Sequence, residues 1–167
     1  MNHPAELALH QYLRNAIDGK SEMSQDIIDK IKQDIGEALD KQFNTAEGKQ
    51  EFKLRMSNIG RPKCQLWFEK NDPDHQEPLP TSFKVNMIFG DMVEALLKGL
   101  LRASGVQFGD NEKVSLPLNE KEELSGEYDM LLDDKIDDVK SASAWSYENK
   151  FVDLYTLESG DTFGYVP

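Results

Sequence analysis

One cysteine, Cys64, stands in 167 residues, so no intramolecular disulfide can form and no thiolate cluster for zinc or for iron and sulfur can be assembled from this chain alone. Histidine is almost as scarce. His3, His10 and His75 lie far apart and offer no pair at ligand spacing on one helix, which argues against a zinc site. Any metal must then be held by oxygen or nitrogen, which points to a hard cation such as magnesium or manganese. Long apolar runs are missing too. None approaches the roughly 18 residues of a membrane span, and the start MNHPAELALHQYL lacks the basic and apolar regions of a signal peptide. A cytoplasmic protein with no membrane partner is the expectation, with Cys64 read as a small buried residue.

Positive charge is the remaining shortage: 19 Lys and Arg stand against 31 Asp and Glu, a formal charge of -12. Phosphate binding is usually driven by clustered cations, so this balance speaks against nucleic acid at first. The distribution softens the objection. Between residues 41 and 70 the chain carries Lys41, Lys49, Lys53, Arg55, Arg61, Lys63 and Lys70 against Glu47, Glu51 and Glu69, which marks that stretch as the candidate phosphate-facing surface. What is present otherwise, 38% hydrophobic residues with two Trp, eight Phe and five Tyr, describes a globular domain rather than a disordered or fibrous chain.

SQDIIDKIKQDIGEALDKQF sets Ile27, Ile28, Ile31, Ile35, Leu39 and Phe43 at three- and four-residue steps behind a Ser24 cap, which predicts an amphipathic helix. Ser57 is a candidate cap for a short helix presenting Leu66, Trp67 and Phe68, and NDPDHQEPLP reads as a loop. FKVNMIFGDMVEALLKGLLRASG predicts a helix with Met92, Val93, Leu96, Leu97, Leu100 and Leu101 on its buried side, Glu94 embedded in it and Gly105 as its stop. VSLPL, LSGEYDMLL and KIDDVKSAS read as an antiparallel meander, with a tight turn at Asp133 and Asp134. Residues 144–157 predict a last helix, ended near Ser159 and Gly160.

In a strand through IDDVKS, Ile136, Asp138 and Lys140 share one face while Asp137 and Val139 share the other. Spacing alone proves little, because an acid two residues before a lysine recurs at Asp18, Glu47, Glu51, Asp133 and Glu148. Context separates this one. It follows LSGEYDM by one hairpin turn, so Asp129 lies on the neighbouring strand and two carboxylates converge. Phosphodiester hydrolysis uses such a pair to grip a divalent cation, with a lysine to orient water or neutralise developing charge. The plain alternative is an exposed hairpin with a cross-strand ion pair, worth about 0.2–1 kcal/mol. Gly126, inside a strand, marks a bulge or a close approach.

Taken in order, RMSNIGRPKCQLWFE, FGDMVEALL, LSGEYDML and IDDVKSAS resemble the PD-(D/E)XK nuclease superfamily over about residues 54–167, nearest to the RecB nuclease domain, the CRISPR-associated RecB-like nucleases and phage exonucleases. The family pattern is Gly-x-x-x-Glu on a helix, then Gly-x-x-Asp and Asp-x-Lys on strands. Here these are Gly90 with Glu94, Gly126 with Asp129, and Asp138 with Lys140. The resemblance implies a mixed α/β (α+β) fold: a restriction-endonuclease-like core with a small mixed sheet and antiparallel meander flanked by helices, behind a helical N-terminal extension at residues 1–53.

It further implies a Mg2+- or Mn2+-dependent deoxyribonuclease with no iron–sulfur cluster, because Cys64 has no partners further along. Asp129, Asp138, Glu94 and the Val139 carbonyl would be metal ligands, and Lys140 the catalytic lysine. Arg61, Lys63, Ser141 and Ser143 would meet DNA, in a bacterial or phage-infected cell. Many relatives carry a Gln-x-x-x-Tyr helix just after the position of FGYVP, so a second polypeptide supplying that segment is an expected partner. Two other readings stay open. One is a catalytically weak or incomplete nuclease fold acting as a DNA-binding or protein-interaction module. The other is an acidic helical interaction protein.

Overall fold

The computed structural model describes residues 3–44, 52–75, 77–120, 122–142, 144–150, 152, 153, 155, 156 and 159. Contacts divide the chain into two units, the first made of Met1–Ala46, Pro80–Asp110 and Asp129–Lys140, the second of Glu47–Leu79, Asn111–Tyr128 and Ser141–Pro167.

In the first unit, α1 (Pro4–Ile17) starts with proline at its first helical position, where a missing N–H costs nothing, and the His3 ring accepts the Ala5 N–H at 3.3 Å. Helix α2 (Gln25–Phe43) begins where its apolar stripe predicts, with the Ser24 hydroxyl accepting the Ile27 N–H at 3.4 Å. Both pack on α4 (Thr81–Ala103). Gly105 ends α4 at φ +81°, a left-handed residue that lets the Val106 N–H reach back to the Leu101 carbonyl at 3.0 Å.

The buried side of α4 differs from the leucine stripe expected. Ala95, Lys98, Gly99 and Leu101 are buried, while Met92, Val93 and Leu96 are exposed. The reason is the seat of α2. A Cβ placed on Gly99 would lie 2.3 Å from Ile31 Cγ1, so α2 approaches along the line of the smallest residue rather than along the leucines.

Behind α4 comes a hairpin of β3 (Met130–Leu132) and β4 (Lys135–Asp137), paired antiparallel with Met130 opposite Asp137 and Leu132 opposite Lys135. Asp133 and Asp134 turn it at φ 50° and 61°, the two positive angles of a type I′ turn. Gly109 bridges Leu131 through two backbone hydrogen bonds of 2.8 and 2.9 Å. Ala5, Leu101, Met130 and Leu132 form the core, with Leu9, Leu97, Val106, Phe108 and Val139 packed against it.

The second unit holds α3 (Lys63–Asn71), one 3-10 turn (Pro73–His75), the antiparallel pair β1 (Glu112–Pro117) and β2 (Glu123–Tyr128), and α5 (Ala144–Lys150). Arg55 bridges Ser125 in parallel, and the buried Asn58 ties the turn after it, accepting the Arg55 N–H at 2.8 Å and donating to the Lys53 carbonyl at 3.2 Å. Ser57 lies exposed in that turn and does not cap α3. The helix starts only after Pro62, because hydrogen bonds to the Arg55 and Asn58 carbonyls hold the intervening residues in turns. Cys64, expected inside, is exposed, since α3 buries none of its side chains.

The fold is thus mixed α/β: among the described residues, five helices and two separate two-stranded antiparallel sheets. LSGEYDMLL, expected as one strand, breaks at Asp129 into β2 and β3, and the meander becomes two ladders. The last predicted helix also divides: α5 stops at Lys150, and the Asp153 carboxylate accepts the Thr156 N–H at 2.7 Å beyond a bend at Val152 and Asp153. Gly160 lies outside the described residues. Among those residues, no helix is long and apolar enough to cross a membrane.

Candidate active site

The β3–β4 register decides which side chains meet. Met130 opposes Asp137, so one further step along both strands sets Asp129 opposite Asp138. Regular pairing has ended there, and a side chain replaces the ladder: the Asp129 carboxylate accepts the Val139 N–H at 2.6 Å. Val139 itself packs on the core, which turns Asp138 and Lys140 outward. Exposure alternates as the strand pattern predicts. Ile136, Asp138 and Lys140 are exposed and Asp137 and Val139 half-buried, although β4 proper ends at Asp137.

Asp129 and Asp138 come within hydrogen-bonding reach of each other, and Glu94 on α4 is near enough for its charge to act on Asp129. The Asp129 carboxyl is held above its ordinary range, chiefly by burial. The Val139 N–H opposes that shift, and the negative charges of Glu94 and Asp138 add to it. Lys140 bridges Asp138 at 2.5 Å on the exposed side. On the other flank Lys98, one turn after Glu94, holds the Glu94 carboxylate at 2.6 Å. Three acids are thus bracketed by two ammonium groups.

The structure brings together Glu94, Asp129, Asp138, Val139 and Lys140, all in the first unit. The other expected residues lie in the second. Arg61 is half-buried and bridges Glu69 at 2.8 Å. Lys63 opens α3 and is exposed, Ser141 is exposed, and Ser143 lies outside the described residues. Gly126 pairs regularly with Val114, and the close approach expected of it is the Met56 sulfur, 2.6 Å from where a Cβ would sit. Lys98 escaped the sequence reading. Its signal was a lysine inside the apolar run ALLKGLL, four residues after Glu94.

A hard divalent ion commonly takes one or two carboxylates and fills its remaining positions with water and phosphate oxygens. The facing pair Asp129 and Asp138 fits that demand in donor chemistry, because a cation between them would relieve the repulsion that adds to the effect of burial on Asp129. Among the described residues no group of three or more His, Cys, Asp or Glu side chains is placed to hold a metal ion. The fit is therefore to an open site of two carboxylates. Comparison with family models, with curated proteins and with solved structures found no match to this chain.

Proposed function

We propose that the Asp129–Asp138 pair is the centre of a metal-dependent phosphodiesterase built on a restriction-endonuclease-like core. More particularly, the protein is read as a Mg2+- or Mn2+-dependent deoxyribonuclease, acting as an exonuclease in phage or bacterial DNA processing. The observation that carries this reading is the meeting of two carboxylates across a hairpin, one raised by burial and further by Glu94 and the other acid, with Lys140 paired to the outer one.

Asp129 and Asp138 would hold the ion, with the Val139 carbonyl as a further ligand and Glu94 acting on the site through its charge rather than as a third carboxylate ligand. When bound, such an ion supplies Lewis acidity toward the scissile phosphate and a water-derived nucleophile. The chain's own residues position the reaction. The Val139 N–H fixes the Asp129 carboxylate, and Lys140, exposed beside Asp138, orients the attacking water or neutralises charge on the phosphate as it becomes five-coordinate.

The test is cleavage of end-labelled linear single- and double-stranded DNA with Mg2+ or Mn2+. Asp138→Ala and Lys140→Ala are expected to lower turnover by about 10²–10³-fold. Both should still fold, because their ion pair is exposed and an exposed pair contributes only about 0–1 kcal/mol. Cleavage in chelator, or unchanged cleavage by both variants, would remove the reading. A second reading, a binding module of nuclease fold, is supported by the internal partners of two expected site residues, Glu94 on Lys98 and Arg61 on Glu69. It predicts retention of DNA or a partner protein without turnover.

A further inference from the structure

Within the second unit, one face of α3 and residues 52–54 oppose the β1–β2 hairpin across an open groove of about 750 Å³, a size that suits a small ligand. Its two walls differ in charge. Lys53, Lys63 and Lys70 stand on one, and Glu120, Glu122 and Glu123 on the other. Lys63, Trp67 and Lys70 follow at four- and three-residue steps, so two ammonium groups flank one indole on a single face of α3. Trp67 is 57% exposed, although tryptophan is among the side chains folding usually hides best. Phe52 also lines the groove, with Lys70 Nζ 6.0 Å from its ring centre. Lys70 reaches across to Glu122 at 3.1 Å, whereas Lys53 and Lys63 form no ion pair among the described residues.

A ligand of this groove must answer three features together: aromatic surface, cations on one side and carboxylates on the other. A simple anion meets the glutamates, a simple cation meets the lysines, and neither uses the indole. A peptide strand adding to the edge of β2 finds that edge occupied, since the Ser125 N–H donates to the Leu54 carbonyl at 3.2 Å and the Ser125 carbonyl accepts the Met56 N–H at 2.8 Å. A nucleotide has the required asymmetry. Its base stacks on an aromatic ring, its phosphate is anionic, and the edge of adenine or cytosine carries an amino group that a carboxylate accepts.

We propose that this groove binds a nucleotide with an amino-bearing base, stacked on Trp67, its phosphate on Lys53 and Lys63 and its amino group toward the glutamate wall. In a duplex the base faces are stacked and the amino groups paired, so the ligand is a free nucleotide or an unpaired one within a single strand. The proposal goes beyond the nuclease reading and requires no metal ion.

The experiment is equilibrium dialysis of labelled dAMP, dTMP, oligo(dA) and oligo(dT) against the full chain in EDTA. Thymine lacks the amino group, so dTMP should bind about tenfold more weakly than dAMP. Trp67→Ala should weaken dAMP binding about tenfold, while Trp67→Phe, which keeps a stacking face, should stay within about threefold of wild type. Two free lysines at about −0.7 each predict a log–log salt slope of about −1.4 for oligo(dA), which Lys63→Ala should halve. These side chains are exposed and α3 buries none of its own, so the variants should keep the wild-type circular dichroism. Oligo(dA) binding more tightly than dAMP identifies the strand as the source of the nucleotide; affinity no higher identifies the free nucleotide. Saturable binding of neither overturns the proposal, as does binding that Trp67→Ala leaves unchanged, or equal affinity for dAMP and dTMP. None of these results decides the nuclease reading, which rests on cleavage by Asp138→Ala and Lys140→Ala.

Discussion

Asp129 meets opposed demands in one carboxyl group: the Val139 N–H favours its charged form, while burial and the charges of Glu94 and Asp138 disfavour it, and the second set prevails. A raised carboxyl keeps its proton in the folded chain over a pH range in which the unfolded carboxyl, near 3.9, has lost it. The native state then binds more protons than the unfolded one, so stability falls as pH rises through that range and stays lowered above it. Asp129→Asn keeps an oxygen for the Val139 N–H and removes the charge. In EDTA at pH 7 the variant should melt higher than wild type, by about 2–4 °C for each kcal/mol of relief. The gain should shrink toward pH 4, and Mn2+ should stabilise wild type alone. A lower melting temperature for Asp129→Asn at pH 7 would mean that the Val139 hydrogen bond outweighs the repulsion.

At this scale the juxtaposition of Asp129, Asp138 and Lys140 is legible in the sequence, because a period of two and a two-residue turn suffice to bring them together. The sequence was silent on Lys98, since a lysine in an apolar helix reads as a surface residue until the helix is packed. Cys64 misled for the same reason: its apolar neighbours Leu66, Trp67 and Phe68 lie on a helix that buries none of them.

Among the elements, the β3–β4 turn has most influence on the site. Asp133 and Asp134 supply the positive φ angles of a two-residue hairpin, and that loop length puts Asp138 across from Asp129. A one-residue change of register moves every following side chain to the opposite face. Insertion of one glycine after Asp134 should therefore abolish Mn2+ binding while circular dichroism retains the helices; binding that survives the insertion would show that the hairpin does not define the site. The turn was legible from Asp-Asp between two apolar triplets.

The packing of α2 on α4 was not legible. Helix periodicity reports which residues are apolar, whereas the choice of contact line depends on how closely the two backbones approach, and Gly99 decides that. Gly99→Ala would press a methyl group into the stiff, branched Ile31 and should cost about 1–3 kcal/mol in urea unfolding. Ile31→Ala in the same chain should return part of that loss. An unaffected Gly99→Ala protein would mean that the helices slide apart freely.

For the whole molecule, the charge of -12 sets the terms on which DNA could be met. The cations once assigned to a phosphate-facing stretch are partly engaged, Arg61 with Glu69 and Lys70 with Glu122, so the residual positive surface is smaller than the sequence suggests. A protein that neutralises few phosphates with its own side chains releases few counterions, and its affinity changes little with monovalent salt. On the proposed nuclease reading, attraction would then come through a divalent ion shared between the carboxylate pair and the phosphate. Retention of duplex DNA should accordingly be negligible in chelator and rise with Mn2+, with a shallow dependence on NaCl, as measured with Lys140→Ala, which keeps both carboxylates, under conditions where wild type would cleave. Loss of one ligand should weaken that retention without changing its salt slope, whereas Lys63→Ala should do the reverse if α3 meets the backbone. Strong binding in EDTA with a steep salt slope would place the contact on lysines and arginines instead, and would favour the binding-module reading over the nuclease.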